Sequence, residues 1–175
     1  MVSASSSSVS SSSVVGGSGG AIFASKSRGG TSRMATGKRL GAAFDLTLRM
    51  TLRALPGVEG EVAIGPYQGS PPGAGYRLVI RTGGGQGPAF ALERQTVGGG
   101  IETLATNAGP LRIEDGEERV VHWTRSAGGE IAIAIDGEEI LAARDTRLSG
   151  GFDGVVLVNT GGDVEVGAIE AATRE

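Results

Sequence analysis

The sequence has few of the residues on which the commonest functional sites depend. Its 175 residues include no cysteine and one histidine, and aromatic residues make up 4% of the chain. Without cysteine there is no disulfide framework, and a single histidine excludes every site that needs two imidazoles. No apolar run approaches the roughly 18–20 residues of a membrane-spanning helix. Glycine is abundant instead, with 32 residues, which indicates a loop-rich β protein.

Charge is divided unevenly along the chain. Residues 1–43 contain five basic residues and no acidic one, whereas residues 44–175 contain 11 basic and 19 acidic residues. The net charge is therefore +5 in the first segment and −8 in the second, within a total of −3. This division predicts a basic N-terminal arm, residues 1–43, attached to an acidic domain, residues 44–175.

The arm contains little that could form a core. Nine of its first thirteen residues are serine, and its apolar residues fit neither helical nor strand spacing. Such a segment buries too little apolar surface to offset the entropy of ordering it, so we expect an extended, intrinsically disordered-type arm. A solvated tail, an arm that docks on a protein partner and an organelle transit peptide remain open. Nucleic-acid binding is disfavoured, because no stacking aromatics are interleaved among the cations. Docking on an acidic partner would use Ile22, Phe23, Lys26, Arg28, Arg33, Lys38 and Arg39.

From Phe44 onward, apolar and polar residues alternate in short segments. The stretch FDLTLRMTLR, residues 44–53, alternates at all ten positions, which is typical of a strand with one solvated face. Asp136-Gly137 is typical of a two-residue hairpin turn, Gly161-Gly162 of a reversal and Gly167 of a bulge. All six prolines fall in predicted connections, and no segment predicts a helix. Further strands are predicted at 61–65, 76–82, 89–94, 101–106, 118–126, 130–136, 138–144, 154–159 and 163–171.

The second half of the chain resembles the closing strands of concanavalin A-like and laminin-G-like jelly rolls. Trp123-Thr-Arg125 ends a strand before a glycine turn, the Asp136-Gly137 hairpin follows, and the segment 154–159 is a glycine-bounded strand that ends at asparagine. The likeness extends more weakly back to Phe44 and leaves out residues 1–43. It implies an all-β, antiparallel two-sheet jelly-roll sandwich. The functions that this fold implies are glycan binding, glycan hydrolysis and scaffolding, including surface modules of viruses and phages, and the fold alone does not choose among them.

The carboxylate motif of glycosidases with this fold is absent. Enzymes resembling the laminarinases carry Glu-x-Asp-x-x-Glu on one strand, which sets acid and nucleophile on the same face. The nearest segment, EDGEE at 114–118, puts its first two carboxylates on opposite faces and contains a glycine typical of a turn. His122 lies inside a predicted strand, and no predicted strand leads into a Gly-x-Ser-x-Gly elbow that would supply a nucleophile. We therefore expect a protein that is not an enzyme.

Five residues are candidates for ligand contacts. Tyr67 and Trp123 can stack on a sugar ring, although Trp123 also fits a core position in a domain with few other large residues. Three oxygen-bearing residues around the penultimate strand offer ligands of the kind that calcium prefers: Asp153, Asn159 and Asp163. Turn chemistry explains the same residues beside glycine, so neither a metal site nor another cofactor is predicted.

Two functions of different classes remain open. The first is a non-catalytic structural module of a larger, oligomeric assembly, such as a capsid decoration or fibre-associated protein of a virion, tethered to its neighbours by the arm. The absence of a recognisable secretory signal beside a resemblance to exterior domains favours a virion or an extracellular surface, with plastid targeting as the alternative. The second is a carbohydrate-binding, lectin-like module for cell-surface glycans, and a glycan hydrolase is a lesser alternative.

Overall fold

The computed structural model describes residues 22–174. They form ten antiparallel strands joined by turns and loops, and no helix. Within these residues, accordingly, no helix is long and apolar enough to cross a membrane. The expected all-β, antiparallel jelly-roll sandwich is confirmed. The strands are β1 (Phe23–Thr36), β2 (Phe44–Arg53), β3 (Gly60–Gln68), β4 (Ala74–Thr82), β5 (Phe90–Gln95), β6 (Ile101–Asn107), β7 (Asp115–Arg125), β8 (Glu130–Ile135), β9 (Glu138–Arg144) and β10 (Gly154–Thr173).

Strand β10 belongs to both sheets of the sandwich. Its residues 154–159 pair with β3, and its residues 163–173 pair with β2. The front sheet therefore contains β3–β6 and the first part of β10, and the back sheet contains β2, β7–β9 and the second part. The predicted reversal at Gly161-Gly162 is wrong, because the chain bends there and continues as a strand. A Cβ on Gly60 would lie 2.6 Å from the Cα of Gly161, so the bend depends on two glycines in contact.

Strand β1 is a strand of the sandwich, although residues 1–43 were expected to form an arm outside it. It pairs with both parts of β10, with a register shift between Arg28 and Ser32, where the chain follows the bend. Since β3 and β2 occupy the other side of β10, β1 is the edge strand of both sheets. Phe23 is 4% exposed and belongs to the core. The first 21 residues of the predicted arm lie outside the described residues.

The core fills the space between the sheets and follows the predicted alternation. The apolar residues of FDLTLRMTLR are at most 1% exposed. Trp123 of β7 is fully buried against Phe44, with ring centroids 6.4 Å apart, and Phe44 meets Phe152 edge to face at 5.6 Å. Large aromatic rings bury much area per residue, so these three supply a substantial part of the contact between sheets in a chain that is poor in aromatics.

The turn predictions are mostly confirmed. Asp136 and Gly137 have φ values of 52° and 86°, as a two-residue primed hairpin turn requires. The β2–β10 register shifts between Val166 and Ala168, which is the bulge predicted at Gly167. Pro66 was expected in a connection but lies within β3, where the ladder to β4 has no pair at this proline. Its missing N–H is thus accommodated by a local gap in the pairing.

Candidate functional site

The outer face of the front sheet carries polar side chains around a small apolar centre. The strand register brings Ala63, Val79 and Ala91 side by side on this face, and each is buried. Long side chains on the same strands flank them, since Arg77 and Arg81 occupy alternate positions of β4. The other polar or aromatic residues of this face are Arg33, Glu61, Tyr67, Glu93 and Gln95.

A narrow cleft, which we call the front cleft, opens at one end of this face beside the turn between β3 and β4. Its polar and aromatic lining comes from four strands: Arg33 from β1, Tyr67 from β3, Tyr76 and Arg77 from β4 and Gln95 from β5. Val156 of β10 contributes apolar surface, and residues 72–75 form a wall with little side-chain volume. Antiparallel pairing thus gathers residues that are far apart in the sequence.

Tyr67 is held in the cleft through a glycine on the neighbouring strand. Tyr67 and Gly154 are register partners, and a Cβ on Gly154 would lie 2.9 Å from Cε1 of the ring and 1.7 Å from the carbonyl oxygen of Thr36. The Tyr67 hydroxyl donates to that same carbonyl at 3.4 Å. The half-buried ring therefore lies across β10 toward β1, over a position that has no room for a side chain.

Two arginines present guanidinium groups at the cleft. One terminal nitrogen of Arg33 donates to the carbonyl oxygen of Pro72 at 3.0 Å, which ties β1 to the β3–β4 turn. Arg77 forms an ion pair with Glu93, its direct partner on β5, and these side chains are 16% and 14% exposed. The Nε atom of Arg77 is buried without a hydrogen-bond partner. The cleft therefore has N–H donors in excess of its acceptors.

The turn that forms the wall is anchored from the other side of the cleft. The backbone N–H of Gly69 donates to Oδ2 of Asp153 at 2.8 Å. The side-chain amide of Gln68 donates to the carbonyl oxygens of Ser149 and Gly151, both at 3.0 Å. These bonds join the β3–β4 turn to the loop before β10, so the wall has a defined position.

A buried ion network lies directly beneath the cleft, on the inner face of β4 and β5. Asp145 pairs with Arg94, accepts the Tyr76 hydroxyl at 3.0 Å and accepts the N–H of Arg147 at 2.9 Å. Burial opposes ionisation of Asp145, but these bonds and the charge of Arg94 outweigh it and lower its pKa. Burial, opposed by the charge of Arg125, raises the pKa of Tyr76 to about 12. The network joins both sheets under the cleft.

Sequence reasoning identified Tyr67 but did not connect it with its neighbours. Arg77 lies within the strand predicted at 76–82, and Arg33 was assigned to the arm. Gln95 lies just past the predicted end of its strand. The available signal was alternation, which sorts residues onto faces but does not say which strands are neighbours.

Trp123 is placed differently from Tyr67. Its side chain has no exposed surface and is packed between the sheets, so it offers a sugar no ring face to stack on. This placement corrects its candidacy as a glycan-binding residue and agrees with the core alternative. His122, its neighbour, lies on the outer face of the back sheet with Nε2 2.7 Å from Oδ1 of Asp45.

The three candidate calcium ligands do not converge. Asp153 accepts the Gly69 N–H, and Asp163, further along β10, forms an exposed ion pair with Lys26 at 3.6 Å. Asn159 is fully buried at the bend of β10, where its amide holds the backbone of Ser25. Residues 22–174 contain no group of three or more His, Cys, Asp or Glu side chains that could hold a metal ion.

The predicted docking residues lie on β1 and the segment that follows it. Phe23 is buried in the core and Arg33 lines the front cleft, so neither belongs to a free arm. Lys38 donates to the carbonyl oxygen of Ile169 at 3.0 Å. The docking of an acidic partner stays a prediction, and its surface would be the exposed members of the set: Ile22, Lys26, Arg28, Arg33, Lys38 and Arg39.

Comparison with known proteins finds the same fold in several solved structures. No protein-family model matches the chain, and no curated protein matches its sequence. The carbohydrate binding module CBM66 from Bacillus subtilis has a TM-score of 0.62 at 12% identity, over 85% of this chain and 90% of that one. Lactose- and MES-liganded congerin II has a TM-score of 0.58 at 11% identity, over 82% of this chain and all of that one. CG-16, a homodimeric agglutinin from chicken liver, has a TM-score of 0.57 at 11% identity, over 82% and 100%. At these identities the likeness concerns the fold, and the chain has the jelly-roll sandwich of these proteins.

Proposed function

We propose that the domain is a non-catalytic carbohydrate-binding module and that the front cleft binds the sugar. The observation that carries this proposal is the half-buried ring of Tyr67 set beside Arg33, Arg77 and Gln95. A sugar residue has an apolar C–H face and a rim of hydroxyl groups. An aromatic ring can stack on the C–H face, and planar guanidinium and amide groups can form hydrogen bonds with the hydroxyl groups.

The names of the similar structures support this proposal, because two of them refer to carbohydrate binding or to a bound sugar. One is a carbohydrate binding module, and another was solved with lactose. The front cleft also has a structural basis for binding, because an anchored turn and a buried ion network fix its wall and its base. Side chains that are held in place before binding lose less conformational entropy when a ligand arrives.

Replacement of the ring tests the proposal. The intact protein is applied to an array of neutral and acidic glycans, and affinity for the best ligand is measured by titration calorimetry. Tyr67→Ala should weaken binding about tenfold, the loss expected when a stacked aromatic ring is removed. Tyr67→Phe keeps the ring and should bind within about twofold of the parent, because only the long bond to Thr36 is lost.

The matched control lies on the opposite face. His122→Ala removes a half-exposed ring from the outer face of the back sheet and should leave glycan affinity unchanged. Thermal melts of all variants establish that they are folded. The proposal is refuted if the intact protein binds no glycan on the array, or if Tyr67→Ala binds as tightly as the parent while it remains folded.

A further inference from the structure

We infer that the glycan recognised at the front cleft is acidic and that Arg33 and Arg77 bind its carboxylate or sulfate group. The inference deepens the proposed function and rests on it. Its basis is the charge and hydrogen-bond chemistry of the two arginines in the cleft lining.

The charged residues that line the cleft are all basic. Among its residues Arg33 and Arg77 are charged and none is acidic. Glu93 stands behind the lining as the partner of Arg77, and Arg33 forms no ion pair with any residue in the range 22–174. The cleft thus presents a net positive charge, although residues 44–175 carry a net charge of −8. A cationic spot on an acidic domain attracts an anionic group locally, while the domain as a whole repels polyanions that do not fit it.

The donors at the cleft also lack acceptors. A guanidinium group has five N–H donors in a fixed planar arrangement and no acceptor. One N–H of Arg33 is directed to Pro72, and the Nε of Arg77 is both buried and without a partner. Since that Nε has no accessible surface, a ligand would meet the remaining terminal N–H groups of Arg33 and Arg77. Carboxylate and sulfate oxygens are the acceptors that bind guanidinium groups most strongly, often through two parallel hydrogen bonds.

The shape of the cleft favours a sugar acid over an acidic peptide. The cleft is narrow and ends at the wall formed by residues 72–75, and Tyr67 occupies one side of it. The cleft itself has room for about one water molecule, with a volume of about 10 Å³, so a sugar residue would lie across its mouth with its acidic group toward the two guanidinium groups. An extended peptide would need a longer groove than this cleft.

The experiment compares acidic glycans with neutral partners of the same backbone. Binding of the intact protein is measured for an oligogalacturonide and its methyl ester, and for a sulfated dextran oligosaccharide and plain dextran. We expect at least one acidic probe to bind about tenfold or more tightly than its neutral partner, and the two pairs distinguish a carboxylate from a sulfate ligand. Polyglutamate, which has carboxylates but no sugar rings, should not compete.

Substitutions that remove one positive charge at a time test whether the arginines of the cleft cause the preference for acidic probes. Arg33→Gln and Arg77→Gln should each lower affinity for the acidic probe about five- to tenfold and lower affinity for its neutral partner by a smaller factor, so that the preference for the acidic probe shrinks. Since Arg77→Gln leaves Glu93 without its partner, the double variant Arg77→Gln/Glu93→Gln tests the same loss in a neutral pair. Arg49→Gln is the control: it removes an arginine from an exposed ion pair on the back sheet and should change nothing.

The outcomes separate this inference from the proposed function. Equal affinity for acidic and neutral probes, with loss in Tyr67→Ala, overturns the inference and leaves glycan binding intact. Acidic binding that falls equally in Arg49→Gln, or that polyglutamate abolishes, also overturns the inference, because it reports attraction to charge in general. Absence of binding to every probe overturns both.

Discussion

Buried charge at Asp145 shows how single residues stabilise the region beneath the front cleft. A carboxylate that is 6% exposed is costly unless hydrogen bonds and an opposite charge compensate it. Asp145 has both, from Arg94, the Tyr76 hydroxyl and the N–H of Arg147. The Tyr76 hydroxyl can donate to Asp145 only while it is protonated. The network is therefore sensitive to high pH, at which Tyr76 ionises.

The alkaline stability of the domain should reveal this dependence. The folded-state pKa of Tyr76 is about 12, against about 10 for an unfolded tyrosine. Its contribution is therefore complete below pH 10 and is lost as pH rises toward 12, because the unfolded state releases the proton first. Between pH 9 and pH 11.5 the parent should lose roughly 2 kcal/mol more unfolding free energy than Tyr76→Phe, as measured by urea denaturation. Equal losses in the two proteins would refute the role assigned to this hydroxyl.

At the scale of the strand, alternation predicted what local sequence controls. It placed β2 with its observed bounds, because the apolar and polar residues of β2 sort cleanly onto two faces. The bounds of β9 were also predicted, although β9 does not alternate, since Ile140 and Leu141 are both buried. It divided β10 in two, because a glycine pair is most often a turn, whereas here the pair permits a bend against Gly60. It missed β1, whose serine- and glycine-rich sequence has weak strand propensity. Pairing with β10 supplies the stabilisation that this sequence lacks.

The candidate site was predictable only in part for a related reason. Tyr67 was identifiable as an aromatic residue beside a loop, and Arg77 as a residue of the strand predicted at 76–82. That they share a cleft with Arg33, more than thirty residues earlier, depends on β1 lying on the far side of β10. Which residues of different strands lie next to each other depends on the order of strands in the sheet. The pattern of apolar and polar residues within one strand does not reveal that order.

Gly154 offers a test of how strand packing positions the ring of Tyr67. A Cβ at this position would lie 1.7 Å from the carbonyl oxygen of Thr36, a backbone atom of the paired strand that cannot move without disturbing the pairing. Gly154→Ala should therefore lower the free energy of unfolding by about 1–3 kcal/mol and weaken glycan binding with it. Gly37→Ala is the control, because a Cβ there meets no atom within 4 Å. Indistinguishable melting temperatures for the two variants would contradict this account.

Across the whole molecule, the basic residues of the first segment have two explanations. Lys26, Arg28 and Arg33 lie on β1, the edge strand of both sheets, where charged side chains discourage pairing with further chains. The same residues were predicted to dock the protein on an acidic partner in a virion or another assembly. That role, the partner and the location of the protein stay predictions, and edge protection needs no partner at all.

Two truncations distinguish an integral strand from a detachable arm. Removal of residues 1–21 leaves every described strand, so the shortened protein should melt cooperatively within a few degrees of the parent. Removal of residues 1–40 deletes β1, exposes one side of β10 and takes Phe23 and Leu40 out of the core. It should lower the melting temperature by at least about 10 °C or prevent recovery of folded protein, since each kcal/mol shifts a domain of this size by several degrees. If both truncated proteins melt like the parent, β1 contributes little, and residues 1–43 behave as the separate segment that their composition first indicated. If only the longer deletion is harmful, the boundary between appendage and domain lies before Phe23, because pairing with β10 incorporates a serine- and glycine-rich segment into the sandwich.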